Sequence, residues 1–382
     1  MLPRDLEKYL RKARLRPVEP APPPVGAFRH FIVIPVMDEL DELPGSLAAL
    51  RRALPSEAPP GVLLVVNHGV GASPECKAHD AELLRRLRAG DFPGVLWIDA
   101  ASPGKELSDG VGEARRIGLD TALSLLSPET ADNALLVSLD ADSHVAPDYW
   151  SEVTGFFAAH PACGALSIGV RHRPGRTPAE EQAIRRYEDF MRRYVEGLRS
   201  AGSPYAFYTI GSAIAARASA YVACGGMRVR SGGEDFYFLQ ALAKITQVGA
   251  TEKPLVFPSP RPSDRVPFGT GPAVRSLLNG GTLEYHPPES FAALKTLLSA
   301  VAEGDLRDPA AWRARLAPKT AAFLDDRGFF RIWPHVLANT PDTRPARTAA
   351  FHQWFDGLKT LQFLRAVRSG EKEKPSENHF HG

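Results

Sequence analysis

The stretch FIVIPV at positions 31–36 is a continuous apolar run rich in β-branched residues. Such a run is typical of a strand buried on both faces of a parallel sheet. Similar runs follow as GVLLVVN at 61–67, GVLWIDA at 94–100 and NALLVSLDAD at 133–142, with helical patterns between them. Strands that alternate with helices predict right-handed βαβ crossovers. We therefore expect an α/β fold with a doubly wound sheet flanked by helices.

The pattern divides the chain into four parts. Residues 1–28 are predicted as a short basic helix followed by a stiff, proline-rich linker, PVEPAPPPVG at 17–26. The α/β domain is expected over 29–280. The alternation of strand and helix patterns weakens within it after residue 150. Residues 281–368 carry mainly helical patterns and are predicted as a C-terminal extension. The polar tail, 369–382, is predicted to be disordered.

Charge and composition exclude several classes of protein. The 382 residues include 46 basic and 44 acidic residues, for a net charge of +2, so no global field attracts a nucleic acid. Cys76, Cys163 and Cys224 are odd in number and far apart, which fits a reducing compartment and predicts a cytoplasmic protein. No apolar run approaches the ~18 to 20 residues of a membrane span, and the charged N-terminus does not resemble a signal peptide. Peripheral association with a membrane stays open.

The first candidate for chemistry is the sequence LLVSLDADSH, which starts at Leu135. Alternation along a strand would place Asp140 and Asp142 on the same side, at the carboxyl end where α/β sheets bind ligands. Two carboxylates this close repel each other unless a cation lies between them, and hard oxygen ligands suit Mg²⁺ or Mn²⁺. Such an ion would in turn hold a diphosphate. The alternative is an Asp-rich loop that merely ends a strand.

The second candidate is SGGEDFYFLQ at 231–240. Two glycines precede an acidic pair, Glu234 and Asp235, that opens a helix with an apolar face. A carboxylate in this position can act as a general base on a hydroxyl group. The alternative is that the two acids only complement the dipole of the helix.

Taken together, these segments resemble the family 2 glycosyltransferases of the GT-A type, which use nucleotide-sugar donors. The resemblance runs from about Phe31 to Arg275. The matching motifs, in chain order, are FIVIPVMDELDELPGSLAAL, GVGEARRIGLDTAL, LDADSHVAPDYW and GSAIAARASAYVACGGM followed by GGEDFYFLQ.

The resemblance implies a nucleotide-binding sheet of the GT-A type and an inverting, metal-dependent transfer of a sugar to an acceptor hydroxyl. Asp140 and Asp142 would bind Mn²⁺ or Mg²⁺, and Asp235 would be the general base, oriented by Glu234. The residues that the resemblance places at the donor are Asp38, Glu39, Lys105, Arg115 and Asp140. Asn67, after the second strand, and Arg265, in the loop described below, are predicted as further donor contacts. Lys105 is alternatively a solvated loop charge. The acceptor, a glycan, lipid or small molecule, is left open.

The loop that carries Arg265, PSPRPSDRVPFGTGPAVRSL at 258–277, is basic and rich in glycine and proline. It is expected either to close over the diphosphate or to be an ordinary connector. The motif of processive synthases, Gln-x-x-Arg-Trp, does not occur in the chain, which favours transfer of single residues.

Two features keep other functions open. The resemblance implies an aspartate-rich turn after the second strand, but this sequence has Asn67-His68, so the identity of the donor nucleotide is undetermined. A sugar-phosphate nucleotidyltransferase is the nearest enzymatic rival, although MDELDEL follows the first strand where that class has a basic, glycine-rich loop. A catalytically inactive, glycosyltransferase-like binding module is the other. A Rossmann oxidoreductase is excluded because Gly110-Val-Gly112 lacks the third glycine of that fingerprint.

Overall fold

The computed structural model describes residues 3–21, 23–108, 110–230, 232–262 and 269–368. The chain forms two compact units. The first contains the residues up to Tyr187 together with Phe207–Gly281, and the second contains Glu188–Ala206 and the residues from Thr282 onward. The units are described separately below.

The strands of the first unit are β1 Phe31–Val36, β2 Gly61–Asn67, β3 Val95–Ala100, β4 Leu135–Ser138, β5 His144–Val145, β6 Cys163–Ser167, β7 Ile214–Arg217, β8 Gln247–Ala250 and β9 Val256–Phe257. In the described part of the chain, seven of them form one sheet in the order β3-β2-β1-β4-β7-β6-β8. Strands β3, β2, β1 and β4 run parallel to one another, whereas β7 is antiparallel to both β4 and β6. A separate antiparallel pair consists of β5 and β9.

Helices flank this sheet, and α4 packs directly on β1 and β2. A Cβ atom at Gly118 of α4 would lie 2.3 Å from Cγ1 of Val33 and 2.8 Å from Cγ2 of Val65, so glycine permits this close approach. The predicted α/β fold class is confirmed. The helices are α1 Pro3–Leu10, α2 Leu43–Ala53, α3 Pro74–Arg88, α4 Gly110–Ser124, α5 Tyr149–Ala159, α6 Pro178–Ser200, α7 Ala218–Ala223, α8 Glu234–Ala243 and α9 Thr270–Leu278, with α6 continuing into the second unit.

Strand β4 is shorter than the sequence predicts. It ends at Ser138, because the chain turns immediately afterwards and the N–H of Ser143 donates to the carbonyl of Asp140 at 3.1 Å. The prediction of a strand over 133–142 was therefore wrong for the residues after Ser138. Asp140 and Asp142 therefore lie in a turn, and strand alternation does not set their directions.

The N-terminal segment lies along the first unit rather than standing apart from it as a spacer. Glu19 forms an antiparallel bridge with Trp97 of the edge strand β3, and each backbone N–H donates to the other's carbonyl at 2.8 Å. The N–H of Gly26 donates to the carbonyl of Leu125. These contacts cover part of an exposed sheet edge, which otherwise is a site for unwanted strand pairing.

The second unit consists of helices around an aromatic core, and its mainly helical character is confirmed. Its helices after α6 are α10 Pro288–Glu303, α11 Pro309–Arg313, α12 Pro318–Asp326, α13 Phe329–Ala338, α14 Arg344–Trp354 and α15 Gly357–Ala366. The buried core residues include Trp312, Phe329, Trp333, Phe351 and Phe363. Across the described part of the chain, no helix combines the length and the apolar character needed to cross a bilayer.

Candidate active site

Arg115 of α4 is at the centre of a buried ion-pair network. Its side chain is only 6% exposed, and Nη2 lies 2.5 Å from Oδ1 of Asp140 while Nη1 pairs with Oε1 of Glu234. The guanidinium lies directly against Gly211, where a Cβ atom would come within 2.4 Å of Cζ. The structure thus brings together three of the predicted residues, from α4, the turn after β4 and the start of α8.

Asp235 lies half-buried in the first turn of α8, directly after Glu234. One of its carboxylate oxygens accepts from the N–H of Phe236 at 2.7 Å. Burial raises the pKa of Asp235 to about 7, with the negative charges of Glu234 and Asp140 adding to the effect and Arg115 opposing it. A carboxyl group with a pKa near neutrality can take up and release a proton at physiological pH, which is the property of a general base.

A second group of charges surrounds Asp142. Arg261 pairs with Oε1 of Glu39, and its Nη2 lies 3.7 Å from Oδ2 of Asp142. Arg173 donates to the carbonyl oxygen of Asp142 at 3.1 Å and pairs with Glu42 at 2.7 Å. Burial is the main reason that the pKa of Asp142 is raised to about 7. The negative charges of Glu39 and Asp140 also raise this pKa, whereas the positive charges of Arg261 and Arg173 lower it.

Two backbone pairings bring the segment that carries Arg261 close to Asp142. Strand β9 pairs with β5, which begins two residues after Asp142, and the N–H of Arg173 donates to the carbonyl of Pro258 at 2.9 Å. The sequence contains no local pattern for the contact between Arg261 and Glu39, because 222 positions separate the two residues.

Among the described residues of this site, the carboxylates outnumber the two guanidinium groups that pair with them. The carboxylates are Glu39, Asp140, Asp142, Glu234 and Asp235, and the guanidinium groups are those of Arg115 and Arg261. Arg173 is shared with a further carboxylate, Glu42. An all-oxygen set with this charge fits Mg²⁺ or Mn²⁺, which bind through one or two carboxylates with water and phosphate oxygens completing the shell.

Asp140 and Asp142 do not form a ready-made cage. Asp140 directs Oδ1 to Arg115, whereas Asp142 lies on the side of Arg261. Within the described ranges, the set of three potential metal ligands whose ligand atoms all lie within 4.8 Å of one another is a different one, discussed below. These carboxylates therefore do not enclose a cation completely. They fit better a cation that is bound by Asp142 on one side and by a phosphate-bearing ligand on the other.

The neighbourhood of Asp235 also includes residues that the sequence did not single out. His172 is buried, and its Nε2 lies 3.0 Å from Oγ1 of Thr270. Burial is the main reason that the pKa of Tyr187 is raised to about 12, and the negative charge of Asp235 adds to this effect. A hydrogen bond with Thr270 lowers the pKa in part. Tyr187 occupies the first half of α6.

Asp38 follows β1 in a left-handed backbone conformation with a φ of 57°. Its N–H donates to Oδ1 of Asp80 at 2.9 Å, and its own Oδ1 lies 2.6 Å from Nδ1 of His79. Since a non-glycine residue rarely adopts this conformation, the contacts from α3 hold the predicted donor-binding loop in place.

The remaining predicted donor contacts have other partners. Asn67 is buried, and its Nδ2 donates to one carbonyl of β1 and one of β2 at 3.1 and 2.9 Å, so its Oδ1 is the part left for a ligand. Lys105 pairs with the buried carboxylate of Asp99 at 3.0 Å. Arg265 lies outside the described residues.

Two solved structures illustrate the similarity of the chain path to known proteins. Residues 1–349 of TarS from S. aureus, in complex with UDP-GlcNAc, align with a TM-score of 0.45 and 11% identity over 85% of this chain and 90% of that chain. The mannosyltransferase PcManGT from Pyrobaculum calidifontis, in complex with GDP-Man and Mn²⁺, aligns with a TM-score of 0.41 and 16% identity over 95% of this chain and 91% of that chain. No family model and no curated protein matches the sequence.

Proposed function

We propose that this protein is an inverting, divalent-metal-dependent glycosyltransferase that moves a sugar from a nucleotide-sugar donor to an acceptor hydroxyl. The observation that carries the proposal is Asp235, a half-buried carboxyl group with a pKa raised to about 7. Glu234, next to it, pairs with Arg115, which also pairs with Asp140. A candidate base therefore adjoins a group of charges suited to a phosphate-bound cation.

In the proposed reaction, Asp235 accepts the proton of the acceptor hydroxyl as the oxygen attacks the anomeric carbon of the donor. The new C–O bond forms while the bond between that carbon and the diphosphate oxygen breaks, and the configuration inverts. Arg115 fixes Glu234, which in turn orients the first turn of α8. The burial that raises the pKa of Asp235 also makes it a stronger base than an exposed aspartate.

On the donor side, Asp142 and Asp140 are the proposed ligands of Mn²⁺ or Mg²⁺. When bound, such an ion offsets the negative charge of the departing nucleoside diphosphate. Arg261 is a proposed further phosphate contact, because it already lies between Glu39 and Asp142. The donor contacts proposed from the sequence, Asp38, Glu39, Asn67, Lys105 and Arg265, stay part of the proposal.

The first test is a thermal-shift panel of nucleotide sugars with the full chain, with and without Mn²⁺. UDP-GlcNAc and GDP-Man are suitable first members. We expect one donor to raise the melting temperature more strongly with Mn²⁺ than without it, since a ligand that binds only the folded state stabilises it. Asp142→Asn should lose the metal-dependent part of the shift. Asp342→Asn, an exposed carboxylate that pairs with Arg347, is the matched control and should keep it.

The second test distinguishes the enzyme from its rivals. Incubation of the stabilising donor with a panel of glycan, lipid and small-molecule acceptors should release the nucleoside diphosphate, and NMR of the product should show the inverted anomer. A response to a nucleoside triphosphate plus a sugar 1-phosphate would instead identify a nucleotidyltransferase. Tight donor binding without transfer or hydrolysis would identify a binding module.

A further inference from the structure

A buried group of three side chains lies beside the candidate active site but has no part in the proposed reaction. It consists of His68 after β2 and Cys76 and Asp80 on α3, which are 4%, 7% and 1% exposed. Nδ1 of His68 lies 2.8 Å from Oδ2 of Asp80, and Sγ of Cys76 lies 3.7 Å from the same oxygen. These three potential ligand atoms all lie within 4.8 Å of one another.

The contact between α3 and β2 brings the three side chains together. Cys76 and Asp80 are four positions apart on α3, so their side chains share one face of the helix. His68 directly follows β2, the strand that α3 contacts. The same i, i+4 spacing of ligands on a helix occurs in zinc sites of the H-E-x-x-H type.

The chemistry of this group differs from that around Asp142. An imidazole nitrogen, a thiol sulfur and one carboxylate are the ligands that Zn²⁺ prefers, and three protein ligands leave a fourth position for water. By contrast, the oxygen-only cluster of Asp140, Asp142 and Glu39 suits Mg²⁺ or Mn²⁺. Magnesium has little affinity for a thiolate, so the two sites should select different metals.

We propose that His68, Cys76 and Asp80 form a Zn²⁺ site with water as the fourth ligand. Binding replaces the hydrogen bond between the imidazole and Asp80, with the imidazole proton on Nε2, and releases the thiol proton of Cys76 to solvent. The other oxygen of Asp80 accepts from the N–H of Asp38, so the ion also fixes the left-handed turn after β1. The proposal does not rest on the transfer reaction and is tested without it.

The decisive experiment uses the full-length protein after dialysis against a chelator. Competition with a chromophoric chelator should show one equivalent of Zn²⁺ bound in the presence of excess Mg²⁺. Co²⁺ substitution should give a thiolate-to-cobalt charge-transfer band together with the intense visible bands of a tetrahedral site. A site made of histidines elsewhere in the chain cannot give the thiolate band.

Cys76→Ser and His68→Ala should each weaken Zn²⁺ binding at least about tenfold, and Cys76→Ser should also remove the cobalt–thiolate band. Cys163→Ser, which changes another buried cysteine, is the matched control and should bind like the wild type. If Cys76→Ser does not fold, the wild type still decides the question, because Zn²⁺ should raise its melting temperature whereas equal Mg²⁺ should not. No bound equivalent, or a cobalt spectrum without the thiolate band, would show that the three residues form only a hydrogen-bonded core contact.

Discussion

Two neighbouring arginines on α4 lie in two buried networks that differ in charge balance. Arg116 donates from Nε to Asp120 at 2.6 Å, and Asp120 also accepts from the hydroxyl groups of Tyr9 and Tyr221 at 2.6 and 2.7 Å. This network pairs one carboxylate with one guanidinium. Arg115, one residue earlier, pairs with both Asp140 and Glu234 and lies near the further charge of Asp235.

The comparison separates a network with a structural role from the one that is proposed to be functional. Asp120 is fully buried with donors on every side, including the backbone N–H of Arg14, so it ties the N-terminal segment to α4. The Arg115 network has more carboxylates than its guanidinium offsets, and burial together with this surplus charge raises the pKa of Asp235. Buried charge without full compensation costs stability, and proteins tend to retain it where chemistry needs it.

The largest expected effect is on catalysis. Asp235→Asn should lower the rate of transfer by roughly 10²- to 10⁴-fold, the usual contribution of a general base. Donor binding should change little, because the substitution keeps the shape of the side chain. The measurement is kcat with the donor and acceptor that the two panels proposed above select, alongside the donor-induced thermal shift. Asp342→Asn is again the control, and a rate near that of the wild type would assign the base elsewhere.

Asp120→Asn should give the opposite result, a loss of stability with nearly unchanged catalysis. The substitution leaves Arg116 without its carboxylate, and breaking a buried ion pair costs on the order of 3 kcal/mol or more. The measurement is the melting temperature and the denaturation midpoint, with kcat determined well below the melting temperature. Tyr9→Phe removes one of the donors to Asp120 and is the graded control, at about 1 kcal/mol. If Asp120→Asn lowered kcat as strongly as it lowered stability, the two networks could not be assigned separate roles.

The pH dependence sharpens the contrast. Because Asp235 must be ionised to accept a proton, kcat/KM should fall about tenfold per unit below its pKa of about 7. Stability should move the other way. The raised pKa favours the protonated folded state, so this contribution is complete below the usual aspartate pKa of about 4 and is lost as the pH rises through 7.

Asp235→Asn supplies the control for both effects. At saturating Mn²⁺, which keeps the proposed metal ligand Asp142 ionised, the residual rate of this variant should no longer fall as the pH drops below 7. Its melting temperature should exceed that of the wild type at pH values above about 7 but not below about 4. If kcat/KM of the wild type fell only near pH 4, Asp235 would titrate as an ordinary surface aspartate.

The sequence predicted the parts of this site that local patterns encode. Buried apolar runs located β1, β2 and β3, and the Asp-x-Asp and Glu-Asp motifs located residues that the structure brings to Arg115. It did not predict Asp120, since that site depends on Tyr9 and Tyr221, which are 111 and 101 positions away. Contacts at such separation follow from tertiary packing, and neither periodicity nor spacing records them.

The smallest expected effect tests how tightly the Arg115 network is held. A Cβ atom at Gly211 would come within 2.4 Å of the guanidinium, which both ion pairs prevent from moving freely. Gly211→Ala should therefore shift Arg115 and cost about 1 kcal/mol of stability, with a several-fold loss of rate. Gly155→Ala is the matched control, because a Cβ there meets nothing within 4 Å and alanine favours the α5 helix. If Gly211→Ala changed stability but not rate, the guanidinium would have room to move without disturbing Glu234, and precise placement of Arg115 would not be required for the reaction.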